Sequence, residues 1–325
     1  MSLFYPMLLF SAALIFGLIL LVFSSDKFIE HSALVAEKLN VSPIIIGFTL
    51  VALGTSAPEM VVSAIAALEN APEIAVGNVL GSNIANVALV FGATLLISAI
   101  PVKEGLATKE VPILLGITLL AGLVMLDNNL DLVDGLILIT GFVVALFLLL
   151  RNSKSLEKEL TQELPEDDGS SITRSLITAL VGLVVLILSS KILVWGATGI
   201  ATEFGVSELV IGLTIVAIGT SLPELAASIT SALKGHHDIA IGNILGSNLF
   251  NLATVLPLPA IIAPGIIDPN VMTRDYWWMF ATSVFLALCI LFFRKTAKAS
   301  IPKWVGVLLL ASYATYLISL SINVS

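Results

Sequence analysis

Gly47 to Glu59 reads GFTLVALGTSAPE, and Gly212 to Glu224 reads GLTIVAIGTSLPE. Nine of the thirteen aligned positions are identical, at a constant offset of 165 residues. The same offset aligns GNVLGSNIAN (Gly77 to Asn86) with GNILGSNLFN (Gly242 to Asn251), seven of ten identical. Asp26 in SSDK and Lys191 in SSKI also fall at equivalent places. Two separate motifs sharing one offset mark an internal duplication, and the fold must accommodate two copies of one unit.

The copies are embedded in apolar sequence. Of 325 residues, 58% are hydrophobic and 12% charged, and the mean hydropathy is +1.06. A soluble domain of this size needs a polar exterior that such a composition cannot supply, whereas lipid accepts an apolar one. A spanning helix takes about 20 apolar residues, and the runs predict about ten. They lie at roughly 4–25, 43–68, 73–98, 110–126, 131–150, 174–199, 208–233, 238–262, 276–293 and 303–322. The first run, Phe4 to Phe23, lacks a basic leader and reads as a retained helix. The hydrophilic stretch from Arg151 to Thr173 then divides a first five-helix repeat (1–150) from a second (174–325), with a cytoplasmic linker (151–173) between them. The net charge of −8 points to no nucleic-acid partner, and the single Cys289 can form no disulfide within the chain.

Basic residues give the orientation. With the N-terminus outside, the loops after spans one, three, five, seven and nine, with their flanks, hold 13 of the 15 Lys and Arg residues. Cytoplasmic loops collect Lys and Arg, so both termini are expected outside. The opposite loops carry acidic residues, including Glu69, Glu73, Glu203 and Glu208. Five spans per copy is an odd number, so the second copy enters the membrane in the opposite sense. Inverted repeats with a midplane site are a transporter architecture.

Glu59 and Glu224 sit midway along apolar spans. An ionisable side chain there costs about 2.5–3.5 kcal/mol on the insertion scale. Lys191 could neutralise only one of them, and a bound cation supplies the missing charge. Thr55 and Ser56 precede Glu59 by four and three residues, as Thr220 and Ser221 precede Glu224, so each pair of hydroxyls shares a helix face with its carboxylate. Pro58 and Pro223 remove an N–H from the ladder, which lets the helix open beside Gly54 and Gly219. Ala52 and Ala217 are expected to add backbone oxygens. The second motif contributes Ser82 and Asn86, with Ser247 and Asn251, while Asn78 and Asn243 read as braces rather than ligands. The donors are all oxygen. Calcium takes 6–8 such ligands, and zinc or copper would call for His or Cys. His236 and His237, before Asp238, read as a solvated turn.

At these residues the chain resembles the calcium/cation antiporter superfamily, whose two repeats carry GTSxPE and GSNxxN-like signatures. It is most similar there to prokaryotic sodium/calcium exchangers. The resemblance implies a ten-helix inverted-repeat fold with cation ligands Ala52, Thr55, Ser56, Glu59, Ser82, Asn86, Ala217, Thr220, Ser221, Glu224, Ser247 and Asn251. It also implies that the first and sixth spans slide across the core to alternate access. Some relatives, including potassium-dependent ones, carry Asp where this chain has Asn251, and proton-coupled members commonly show Gly-Asn rather than Gly-Thr-Ser.

The expected activity is exchange of calcium for sodium across the inner (plasma) membrane, with the two ions and membrane lipid as partners. No cofactor and no obligatory protein partner are expected. Calcium/proton or potassium-dependent exchange is the alternative, followed by a passive cation channel. A membrane hydrolase is disfavoured, because no His or Asp is placed to activate Ser56 or Ser221.

Overall fold

The computed structural model describes residues 4–39, 41–151, 171–205, 217–297 and 299–322. Its helices are α1 (Phe4–Lys38), α2 (Pro43–Thr55), α3 (Ala57–Leu68), α4 (Pro72–Ile97) and α5 (Leu106–Val124). They continue as α6 (Leu132–Arg151), α7 (Ile172–Glu203), α8 (Ala217–Thr220) and α9 (Leu222–Leu233). The last three are α10 (His237–Ile262), α11 (Val271–Phe293) and α12 (Lys303–Ile322). Among the described residues eight helices are long and apolar enough to cross a membrane, and α2 with α3, bent by 43°, makes a ninth span. The chain is therefore an all-helical membrane protein. The linker residues 152–170 and the segment 206–216, which begins the expected seventh span, lie outside the described residues.

The expected boundaries fail most at α1 and α7, which run for 35 and 32 residues. At about 1.5 Å per residue each is near 50 Å long, well beyond a ~30 Å hydrocarbon core, so each must tilt or protrude. Counting apolar residues stops at Asp26, but the helix does not. Residues 26–38 form an amphipathic continuation that buries Phe28, Ile29, Ala33 and Val35 while Asp26, Lys27 and Glu30 stay at the surface. Lys27 thus belongs to a helix and not to the loop where the apolar-run count puts it.

The duplication reappears in the packing. Helices α1 and α7 cross at glycines: a Cβ on Gly17 would lie 2.9 Å from Leu193 N, and one on Gly182 would lie 3.0 Å from Phe28 N. These two contacts are each other's equivalents at the offset of 165. Close approach through small residues is how helices pack in lipid. Helix α2 meets α10 as tightly, since a Cβ on Gly47 would lie 2.5 Å from Ile239 O and one on Gly242 2.5 Å from Ile44 O. Wide π-type turns open at equivalent positions too, at Asn86–Phe91 and Asn251–Val255 and again at Leu106–Glu110 and Val271–Asp275. The larger core joins α4, α5, α6, α10, α11 and α12, and a smaller one joins α1 and α7 to α2 and α9.

Two short ribbons tie the halves together. Strand β1 (Ile100–Pro101) pairs with β4 (Ser300–Ile301), and β2 (Asn129–Leu130) pairs with β3 (Gly265–Ile266), both antiparallel. Strand β1 precedes α5 and β2 follows it, so the ribbons lie at opposite ends of that helix.

Candidate cation site

Each site helix is broken by its own sequence. Ser56 separates α2 from α3 with φ −81° and ψ 2°, and Ser221 separates α8 from α9 with φ −89° and ψ 5°. The nearby prolines, Pro58 and Pro223, stand in the first turn of the following helix, where a missing N–H costs nothing. Glu59 and Glu224 occupy the same turns, near the partial positive charge of the helix start. In lipid such interrupted backbone is tolerated where protein or a cavity surrounds it.

Both carboxylates are fully buried. Ser56 Oγ donates to Glu224 Oε1 at 3.2 Å, a direct link from one half to the other. Thr55 Oγ1 donates to Asn243 Oδ1 at 3.2 Å, again across the halves. The Ala52 carbonyl accepts the Ser56 N–H at 3.0 Å and lies 3.4 Å from Thr55 Oγ1. The asparagines expected to brace do so in both copies. Asn78 Nδ2 donates to the Glu59 carbonyl at 3.2 Å and to Ser63 Oγ at 2.9 Å. Asn243 Nδ2 donates to the Glu224 carbonyl at 3.3 Å and to Ser228 Oγ at 2.9 Å. Sequence reasoning missed Ser63 and Ser228, although a serine recurs at the offset of 165 residues, one turn after each glutamate.

Ser82 and Asn86 are buried on α4, and Ser247 and Asn251 on α10, with each asparagine opening a π-type turn. Ser221 is buried and Thr220 half-buried, while the Ala217 side chain is outside the described set. Among the described residues both Glu59 oxygens, Glu224 Oε2, the Asn86 and Asn251 amides, Ser221 Oγ and Ser247 Oγ have no protein hydrogen-bond partner. Burying so many unsatisfied oxygens is costly, more so when two are carboxylates. A hard cation that takes oxygen ligands fits this donor set. No group of three His, Cys, Asp or Glu side chains that could hold a metal occurs among the described residues, so the oxygen shell draws on hydroxyls and amides besides the two carboxylates. The His236 turn departs from expectation: it is packed, with Asp238 buried and paired to Lys103 at 2.6 Å.

Beside the site lies a cavity of about 520 Å³ between α7 and α3, lined by Ala57, Pro58, Val61, Ser190, Lys191 and Thr220 among others. Lys191 is thus in its expected span, facing this space.

The sequence model of the family described as "Sodium/calcium exchanger protein" matches residues 9–151 and 174–321, one segment in each half. Inner membrane protein YrbG of Escherichia coli is 39% identical over 321 residues, covering 96% of each chain. Sodium/calcium exchanger MaX1 of Methanosarcina acetivorans is 29% identical over 346 residues, covering 94% of this chain and 97% of its own. Among solved structures, the sodium-calcium exchanger NCX_Mj soaked with 10 mM Na+ and zero Ca2+ superposes with a TM-score of 0.80 at 31% identity, covering 97% of this chain and 99% of its own. This chain belongs to the sodium/calcium exchanger family of membrane transporters.

Proposed function

We propose that the protein exchanges calcium for sodium across the plasma membrane by alternating access, at one site shared by its two halves. The observation that carries this reading is the set of buried, unpartnered oxygens around Glu59 and Glu224, joined across the halves by the Ser56–Glu224 hydrogen bond. The ligands are Glu59 and Glu224 with Thr55, Ser56, Ser82, Asn86, Thr220, Ser221, Ser247 and Asn251, plus the carbonyls of Ala52 and Ala217. Two carboxylates balance one calcium ion. Sodium, also hard and oxygen-seeking, competes for the same atoms. An empty site carries two uncompensated charges and resists passage through the low-dielectric interior, so the halves exchange access only when loaded.

The finer architecture is part of the proposal: ten spans as two five-helix repeats, 1–150 and 174–325, inverted in the membrane with both termini outside and the 151–173 linker inside. The ribbons support inversion, because β1 and β3 follow equivalent spans yet belong to ribbons at opposite ends of α5. The names of MaX1 and NCX_Mj support sodium as counter-ion, and that of YrbG supports an inner-membrane location. The test is calcium uptake into proteoliposomes against imposed sodium, potassium and proton gradients in turn. Uptake driven by internal sodium alone is expected; uptake that needs no counter-gradient indicates a channel, and uptake driven only by protons replaces sodium in the scheme.

A further inference from the structure

The two halves have equivalent sequences but one of their mirrored interfaces is closed and the other open. Where α1 meets α9, Ser25 Oγ donates to the Ala226 carbonyl at 2.9 Å and pairs with the Thr230 hydroxyl. Ile29 and Ala227 are fully buried there. Lys234, just past α9, pairs with Asp26 at 2.8 Å and lies 3.5 Å from Glu30. The equivalent interface joins α7 to α3. Its serine, Ser190, bonds instead to the Gly219 carbonyl at 3.0 Å. Val61 and Val62, the mates of Ala226 and Ala227, are 53% and 37% exposed, and the 520 Å³ cavity separates them from α7.

The ion pair has a mate as well. At the offset of 165 residues, Asp26 corresponds to Lys191 and Lys234 to Glu69. Both members have changed sign together, so an attractive pair is preserved while each residue is reversed. Neither Lys191 nor Glu69 makes an ion pair among the described residues, and Lys191 instead lines the cavity.

We infer that Lys191 and Glu69 form an ionic latch that closes the cavity when α7 moves onto α3, and that this latch alternates with the Asp26–Lys234 latch at the other face. In the structure the Asp26–Lys234 latch is made and the cavity leads from the Glu69 end toward Thr220. Sliding α1 and α7 across the core breaks that pair and brings Lys191 to Glu69 in its place. The inner latch has two acidic partners for Lys234; the outer has Trp195 where the inner has Glu30, so it is the weaker of the two. The latch rests on the alternating-access reading above, and the residues act by positioning helices rather than by touching the ion.

The test uses Val61→Cys as a reporter in a Cys289→Ser background, reconstituted in liposomes and labelled with a membrane-impermeant maleimide. Lys234→Glu is expected to slow labelling and Lys191→Glu to speed it, each by about two- to fivefold, the factor that a partly exposed ion pair carries. Adding Glu69→Lys to Lys191→Glu restores the original rate. A second measurement needs no charge reversal: Lys191→Cys with Glu69→Cys cross-links under ion conditions that protect Val61→Cys, and reduction restores exchange. Labelling that responds to sodium and calcium but ignores every charge change, with no cross-link, overturns the latch and leaves alternating access standing. Labelling that no ion condition alters overturns both.

Discussion

Glu59 and Glu224 can be distinguished from buried structural acids by what their neighbours fail to do for them. Glu59 has no donor on either oxygen, and Glu224 has Ser56 on one only. Glu59→Gln and Glu224→Gln keep the shape and remove the charge, so each is expected to abolish sodium-driven calcium uptake while the purified protein elutes as wild type on gel filtration. The two serines at the helix breaks should separate in a second way. Ser56→Ala leaves Glu224 Oε1 without its donor, a loss on the order of 1.5–3 kcal/mol for a hydrogen bond to a charged group, and should lower the melting temperature in ion-free buffer. Ser221 Oγ has no such bond to lose, so Ser221→Ala should melt with the wild type and show its defect in transport alone. Equal melting shifts would contradict the asymmetry. At this scale the sequence was informative because motifs recur: a hydroxyl three residues before a carboxylate, seen twice, names its own role. It could not tell which serine bonds across the halves, since that depends on how two distant segments meet.

Among the helices, the breaks at Ser56 and Ser221 and the tight glycine crossings do different jobs. Pro58→Ala and Pro223→Ala restore a ladder donor and favour an unbroken helix. Each is expected to reduce exchange without lowering thermal stability, because the break serves the site and not the fold. Gly246→Leu should act the other way. A Cβ there already meets Phe48 O at 2.6 Å and Ala52 Cβ at 2.7 Å, so a larger side chain must force α2 and α10 apart. Overpacking of this kind costs about 1–3 kcal/mol, readable as a lower melting temperature. The breaks were legible from Gly and Pro. The length of α1 was not, because residues 26–38 switch from a lipid-facing helix to an amphipathic one and the charges of Asp26, Lys27 and Glu30 look like the end of a span. The π-type turns at Asn86 and Asn251 were also hidden: they arise from packing of whole helices and have no local composition signal.

For the molecule as a whole, the duplication, the odd number of spans and the bias of basic residues converge on one topology. It predicts that Glu73→Cys, in the Cys289→Ser background, reacts with an impermeant maleimide added to intact cells, while Glu104→Cys reacts only after the membrane is opened. Reversed labelling would invert the assignment. Duplication was the easiest feature to read, since one offset relates motifs, turns and hydrogen bonds alike. The difference between the two interfaces was unreadable for the same reason, because equivalent sequences can adopt opposite states only in the assembled protein. What the whole arrangement serves is the sharing of one ion between Glu59 and Glu224. Equilibrium calcium binding to purified wild type, Glu59→Gln and Glu224→Gln in sodium-free buffer tests this most directly: the calcium bound by the wild type should be lost in both variants, and full binding retained in either one would contradict a shared site.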